Sequence, residues 1–422
     1  MAREGAAGGR SRRERLLNME AVAAEKGFLP RFRPVPGEAR ALADLRERAF
    51  ARFEELGFPT AKNEAWKYTG IQPITGTDWK PERRGLRILS PLPAGVRARP
   101  LTEALLVAEP HLADIAGFHD SAFAALNTAL FDDAVVLEIE RGAHVAEPIT
   151  LFFGGEANVE TDDPPEVSFP RILILAGAGS QASVVETYGG ADRRLSNAVT
   201  EIALDEGAIL EHTKLQTESE ETFHVHTLAA RLARDSRFTS HNVAFGGAIA
   251  RTDLRVALAG EGAECHLYGL YAGKGHQHLD NHTIIDHVKP HGTSRELYKG
   301  IMDGASRGVF HGKIIVRQDA QKTDAIQTNK NLILSREALV NSTPALEILA
   351  DDVKCKHGST TGQLDAEALF YLRSRGIGEA DARALLTYAF AADVAERITV
   401  APVRRAVERE LGQRLGDLGE IR

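Results

Sequence analysis

IALDEGAILEH (Ile202–His212) and VALAGEGAECH (Val256–His266) share one plan: an apolar β-type run, an acidic turn, Gly-Ala, and a second β-type run. The same strand-then-Gly-Ala unit recurs at Gly142, Gly177, Gly207 and Gly262. Equivalent turns fall at Asp235 in RLARDSRF and at Gly292 in KPHGTSRELY, with a weaker one at Asp319. A spacing of roughly 27 to 35 residues is the period of a solenoid, in which each repeat buries its apolar face only by stacking on its neighbours. The runs AVVLEI, PITLFF, RILILA, NAVTEIAL, LRVAL and GKIIVR, between about residues 134 and 362, carry the β-branched composition of strands. No helical stripe of ten or so residues separates them, which counts against βαβ crossovers. The pattern favours a parallel β-helix, with an antiparallel sandwich as the alternative.

Both flanks change character. EARALADLRERAFARFEELG places Leu42, Leu45, Ala49, Phe53 and Leu56 on one helical face, with Gly57 at the C-cap position and Pro59 beyond it. DSAFAALNTALF reads as a short helix capped by Asp120 or Ser121. After the β zone come LDAEALFYLRSRGI, EADARALLTYAFAADVAERI and VRRAVERELGQRLGDL, three helical segments expected to cover the solenoid's open end and to offer an apolar ridge to a partner. The expected organisation is a tail at 1–18, an N-terminal helical domain at 19–130, a β-helix core at 131–362 and a C-terminal helical domain at 363–422.

Composition narrows the function. A formal net charge of −8 and a pI near 6.0 lack the basic face of a nucleic-acid binder. Two cysteines leave no disulfide framework, which suits a reducing cytoplasm. The most apolar stretch, RILILAGAGSQASVV, falls short of the ~20 residues that span a bilayer. The Arg-rich first 18 residues lack the apolar core of a secretory signal.

Chemistry-bearing residues concentrate late in the chain. In DDVKCKHGSTTG (Asp351–Gly362), Cys355 and His357 would share one side of a strand, because side chains alternate with period two. Lys354 and Lys356 flank the cysteine, and nearby positive charge lowers a thiol's pKa. On local chemistry the pair is either a thiolate or metal site or the end of a strand. His224 and His226 lie in FHVHT, and His276, His278, His282, His287 and His291 fall within a single repeat. Their number raises a metal site, but their spacing fits no zinc pattern. Histidines stacked on a β-helix face, or a partner surface, are the plainer readings. Cys265, beside His266, reads as a small buried hydrophobe.

The sequence contains no P-loop and no Gly-x-Gly-x-x-Gly. Two cysteines cannot supply the four thiolates that usually hold an iron–sulfur cluster. A polysaccharide-active β-helix would draw its acid/base groups from Asp280, Asp286 and Arg295, but aromatics make up only 6% of the chain.

The segment STPALEILADDVKCKHGSTTGQLDAEALFYLRSRGI (Ser342–Ile377) resembles the C-terminal signature of the SufB/SufD family of iron–sulfur cluster assembly proteins, in its SufD-type form. LGFPTAKNEAWKYTGI (Leu56–Ile71) is similar to the family's Pro-Thr-x-x-x-Glu-x-Trp-Lys-Tyr-Thr stretch. AFAALNTALF, GTSRELYKGIMDGASRGVFHGKIIV and AQKTDAIQTNKNLILS extend the likeness over most of residues 50 to 390. SufB-type chains carry more cysteines and a different ending.

The resemblance implies a right-handed parallel β-helix core between N-terminal and C-terminal α-helical domains. It implies a non-catalytic scaffold that pairs with SufB through the β-helix and binds the ABC-type ATPase SufC through the C-terminal helices, in a SufBCD complex. Self-pairing into a homodimer is a further possibility for the chain alone. The resemblance also places Cys355 and His357 at the SufB interface, where a transient cluster or iron is held, and associates a reduced flavin with the complex. ATP would be hydrolysed by the partner, which accounts for the missing P-loop.

Overall fold

Each sequence repeat folds as one rung of a parallel β-solenoid. The computed structural model describes residues 35, 37–81, 86–131, 133–154, 164–191 and 193–415, so the expected tail at 1–18 lies outside the described residues. Successive strands alternate between two sheets of eleven and nine strands, and each strand pairs with the one a full repeat away. From Ile172 onward the in-register partner lies between 26 residues on (Phe223 to Ile249) and 32 residues on (Arg307 to Leu339). All of these pairings are parallel, so the solenoid rather than the antiparallel sandwich is the architecture.

One corner of the solenoid is a column of left-handed residues. Gly142, Gly179, Gly207, Asp235, Gly262, His291 and Lys322 all have φ between 54° and 70°. Each donates its backbone N–H to a carbonyl of the following rung, from Gly142 to Ala178 through to Lys322 to Asp352, at 2.7–3.1 Å. The turn is thereby an extension of the sheet ladder. Where a Cβ is tolerated, as at Asp235 and His291, the polar side chain is of the kind enriched in this conformation. The sequence pattern put three of these corners slightly wrong. The left-handed residue is Gly179 rather than Gly177, His291 rather than Gly292, and Lys322 rather than Asp319.

Period-two alternation fills the lumen between the sheets. Strands Glu264–Gly273 and Thr293–Met302 send Cys265, Leu267, Tyr271, Ser294, Glu296, Tyr298 and Met302 inward, all of them buried. Large residues sit over glycines on the neighbouring rung: a Cβ on Gly269 would stand 2.1 Å from the Tyr298 ring, and one on Gly300 would stand 2.6 Å from Tyr271. Gly269→Ala is therefore expected to cost about 1–3 kcal/mol through overpacking, read as a lower urea midpoint at unchanged slope. An unchanged midpoint would show that the Tyr298 ring can move aside.

Both sheets need cover on their outer faces, and the two helical regions supply it. The N-terminal region, including helix Arg40–Leu56 and helix Ala122–Leu130, packs Leu42, Phe53, Trp79, Phe123 and Leu126 against Val136, Leu195, Phe223 and Ile249 of the eleven-stranded sheet. Helices Glu379–Ala395 and Ala401–Leu415 lay Ala391, Val394, Val407 and Leu411 over Val185, Leu215, Val243, Leu270, Ile301 and Leu332 of the other sheet. The C-terminal helices thus clamp a side of the solenoid and do not plug its end, contrary to the expectation from sequence. The physical reason is the apolar outward residue on rung after rung of that sheet, a continuous stripe that the helices bury.

The two ends differ. At the beginning, Val96–Pro100 and Arg87–Ile88 run antiparallel to their neighbours and are the outermost strands, five and two residues long. At the other end, strands Leu339–Ile348 and Lys354–Gly362 are the last of their sheets, and most of their residues are exposed or half-exposed.

Candidate functional site at the open end of the solenoid

The final strand sets Cys355 beside Ala325, His357 beside Gln327, Ser359 beside Asn329 and Thr361 beside Asn331. Those four partners are buried in the lumen. Parallel register keeps side chains of paired residues on the same side, so Cys355, His357, Ser359 and Thr361 crown the lumen at its mouth. With no rung above, Cys355 is half-buried and His357 is exposed. The structure therefore brings the two sequence candidates to one side of one strand, at the rim of an open sheet.

Lys354 and Lys356 take the outer side of that strand, opposite the thiol. The shift on Cys355 runs opposite to that expectation: burial raises its pKa, a backbone hydrogen bond with Ala325 offsets part of the rise, and the Asp324 carboxylate adds a lesser upward push. Cys355 in the isolated chain is a thiol, and metal binding here would have to displace its proton.

Beneath the mouth lies a polar floor. Asn329 Oδ1 accepts from Ser342 Oγ at 2.8 Å and Asn331 Nδ2 at 2.6 Å, with Ser359 Oγ 3.3 Å away. Ser359 donates to Ser342 across the two sheets at 2.7 Å, and Tyr271 OH donates to Asn331 Oδ1 at 2.6 Å. Directly under His357, the Gln327 amide Nε2 donates to Glu296 Oε2 at 2.6 Å, and Gln327 Oε1 is buried without a donor. Burial pushes the Glu296 carboxyl up to about 7, with the hydrogen bonds from Thr283 and Gln327 pulling it back in part. Among the described residues, no three His, Cys, Asp or Glu side chains converge as a metal set. The mouth offers two donors, Cys355 and His357.

The other histidines disperse. His224 and His226 face the lumen together, fully buried, and burial holds both below the ordinary imidazole value. Their surroundings are Glu186, Glu218 and Lys214, the last lowered to about 7 by burial. His278 and His282 lie on the outer face of the eleven-stranded sheet, whereas His287 points inward to Ser294 Oγ at 2.9 Å and His291 forms a corner. Cys265 is fully buried and its thiol is pushed well up by desolvation, as befits a small core residue. Asp280, Asp286 and Arg295 are engaged separately, with Arg251, Arg317 and Asp324 respectively, and form no acid/base pair.

What the sequence reading missed is the anchor of the N-terminal motif. Arg251, almost fully buried, donates to Asp280 Oδ2 at 2.6 Å, to both Asp253 oxygens at 2.8 and 2.9 Å, and to the Ala65 carbonyl at 2.7 Å. Its guanidinium lies 3.8 Å from the Trp66 ring centre. Thr69 Oγ1 donates to Asp280 Oδ2 at 2.6 Å and meets His278 Nε2 at 2.8 Å. Glu64–Thr69 is thus a clip onto the sheet, beside a cavity of about 50 Å³ lined by Glu64, Tyr68, Asp280, His282, His311 and Thr343. A signal was present: Arg251, Asp253 and Asp280 are charges of opposite sign on neighbouring β-type runs, and buried charges need partners.

Beyond the last strand, helix Ala366–Ser374 buries none of its residues and leaves Phe370 and Tyr371 exposed. Among the described residues no helix is long and apolar enough to cross a membrane.

Comparison with known proteins agrees with this geometry. Residues 158–390 match the model of the SufBD core domain of the SUF iron–sulfur cluster assembly system, and residues 36–91 match the SufBD N-terminal region. The chain is 32% identical to the iron–sulfur cluster assembly protein SufD of Escherichia coli over 381 residues, covering 85% of this chain and 90% of that protein. It is 30% identical over 406 residues to an iron–sulfur cluster assembly SufBD family protein of Synechocystis, covering 86% and 89%. It is also 33% identical over 302 residues to the chloroplast protein ABCI7 of Arabidopsis thaliana, covering 69% and 63%. A parallel solenoid with an open, donor-bearing mouth, matched over its core and its N-terminal clip, belongs to the SufBD family of iron–sulfur cluster assembly proteins.

Proposed function

We propose that this chain is the SufD-type, non-catalytic scaffold subunit of a cytoplasmic Suf complex. Its open end pairs with a SufB-type solenoid, and the cluster or its iron is held between the two, with His357 and Cys355 supplying this chain's donors. The observation that carries the reading is the uncovered last rung. It combines two unpaired sheet edges, a ready template for another strand, with a Cys and a His on the lumenal side. Two donors make half of a cluster site, which a partner completes. The exposed Phe370 and Tyr371 on helix Ala366–Ser374 support recruitment of a SufC-type ATPase by the C-terminal helices. Iron and the transient cluster are cargo, and a reduced flavin would belong to the assembled complex. Without its partner the same edges favour a homodimer.

Co-expression with the SufB and SufC subunits should yield one stable complex that forms clusters. His357→Ala should leave that complex intact and lower cluster formation at least tenfold, with Cys355→Ser giving a smaller loss. Wild-type cluster formation by His357→Ala would remove His357 from the site. Failure of the three chains to co-purify would remove the scaffold reading.

A further inference from the structure

We infer that Gln327, itself fixed by Glu296, is a positioning residue that sets the ring orientation and tautomer of His357. This rests on the reading of His357 as a metal donor given above.

The three side chains form one lumenal column. Glu296 is the register partner of Gln327, and Gln327 is the register partner of His357. Stacked parallel strands place such residues about 4.8 Å apart along the axis, which is the reach of one side-chain hydrogen bond. Glu296 and Gln327 are both buried in the lumen, so neither can trade its partner for bulk water.

The orientation of the Gln327 amide follows from chemistry. At pH 8, above its value of about 7, Glu296 is ionised and only accepts, so the group turned toward its Oε2 is the NH2, and the 2.6 Å contact is made by Nε2. The carbonyl Oε1 is then left as a buried acceptor without a donor, and a buried polar atom in that state costs free energy until one arrives. The next residue in the column is His357. A ring N–H of His357 donated to Gln327 Oε1 satisfies that atom, fixes which nitrogen carries the proton, and leaves the other nitrogen's lone pair for a metal. Metal-bound histidines are held in this way by an acceptor on the far nitrogen, and losing that acceptor typically costs 10–100-fold in affinity. Ser359 and Thr361, the other polar residues of the rim, are already engaged with Asn329, Ser342 and Asn331, and of the two open acceptors in the column, Glu296 Oε1 and Gln327 Oε1, the second is on the residue paired with His357.

Two measurements test this. In the isolated full chain labelled with 15N-histidine, NMR at pH 8 should show one dominant tautomer for His357, assigned by its loss in His357→Ala. Gln327→Leu should return His357 to a mixture like that of free imidazole. Glu296→Gln, in which the facing amide can turn either way, should weaken the preference in the same direction and serves if Gln327→Leu does not fold. An unchanged tautomer ratio in these variants overturns the inference.

In the complex with SufB and SufC subunits, titration with ferrous iron alone should show Gln327→Leu binding about tenfold or more weakly. The double variant with His357→Ala should be no worse than His357→Ala alone, because the two act as one unit. Binding by Gln327→Leu within twofold of wild type, or losses that multiply in the double variant, overturns the inference. If His357→Ala itself binds iron normally, the donor reading fails instead, while the NMR result still decides whether Gln327 holds the ring.

Discussion

Arg251→Ala is expected to lower the unfolding free energy by about 3–5 kcal/mol, the cost of leaving buried charge without its counter-charge. Arg251 lies between Asp253 and Asp280; burial raises both carboxyls, but the attraction of Arg251, aided by His282, holds them below their usual range. The same guanidinium carries the Ala65 carbonyl and the Trp66 ring, so the variant also loses the clip that docks Glu64–Thr69. Guanidinium unfolding followed by Trp fluorescence should show the lower midpoint, and limited proteolysis should cut near residues 57–70 under conditions where the wild type resists. Arg251→Lys should recover little, since a point charge cannot fork two carboxylates while lying flat on an indole. Wild-type stability in Arg251→Ala would mean that water or His282 satisfies Asp280 on its own.

Glu296→Gln should change the pH dependence of stability by about 3 kcal/mol between pH 4.5 and pH 8. In the folded wild type the Glu296 carboxyl lies at about 7 rather than near its ordinary 4.5, because burial disfavours its charge. A raised carboxyl means the folded state binds more protons than the unfolded state between those values. Its stabilising contribution is complete below about pH 4.5 and is lost as pH rises through 7. The amide variant does not titrate, so its stability relative to wild type should rise across that window. His287 acts oppositely. Burial lowers it to about 4, so the unfolded state binds the extra proton and stability falls as pH drops from about 6.5 toward 4. Wild type therefore has two opposed slopes inside one lumen, and Glu296→Gln should expose the acid-labile one. Urea titrations at pH 4.5, 6 and 8 decide it, and parallel curves for the two proteins would place Glu296 in contact with water.

The solenoid was legible because its signal is a repeat: strand, acidic turn, Gly-Ala, strand, at a nearly constant spacing. The corners were less so. Gly179, His291 and Lys322 occupy equivalent left-handed positions, yet only one of them is a residue whose identity announces that conformation. The side-on packing of the C-terminal helices was readable in principle from Val185, Leu215, Val243, Leu270 and Ile301, outward residues that are apolar where a solvated sheet would be polar. An end cap and a side clamp make the same local helical pattern, and only the facing sheet's outward residues distinguish them.

At the mouth, alternation alone put Cys355 and His357 together. It also put Lys354 and Lys356 on the far side, a consequence of the same rule that the charge argument about the thiol overlooked. Gln327 was invisible for a different reason. A buried amide between a carboxyl and an open rung gains meaning only from the register of three strands some thirty residues apart, and no local pattern records register.

The unequal ends fix the valence of the molecule. Among the described residues the solenoid starts with the short antiparallel strands Val96–Pro100 and Arg87–Ile88, of five and two residues, and ends with parallel strands of ten and nine, so the last rung is the longer template for a further strand. A solenoid open at both ends would be bifunctional, and edge-to-edge addition would propagate as a fibre. This chain is asymmetric in that sense, with its long edges at one end. A partner that pairs there through its own last rung leaves only short strands facing outward, and such an association is expected to saturate with concentration instead of polymerising.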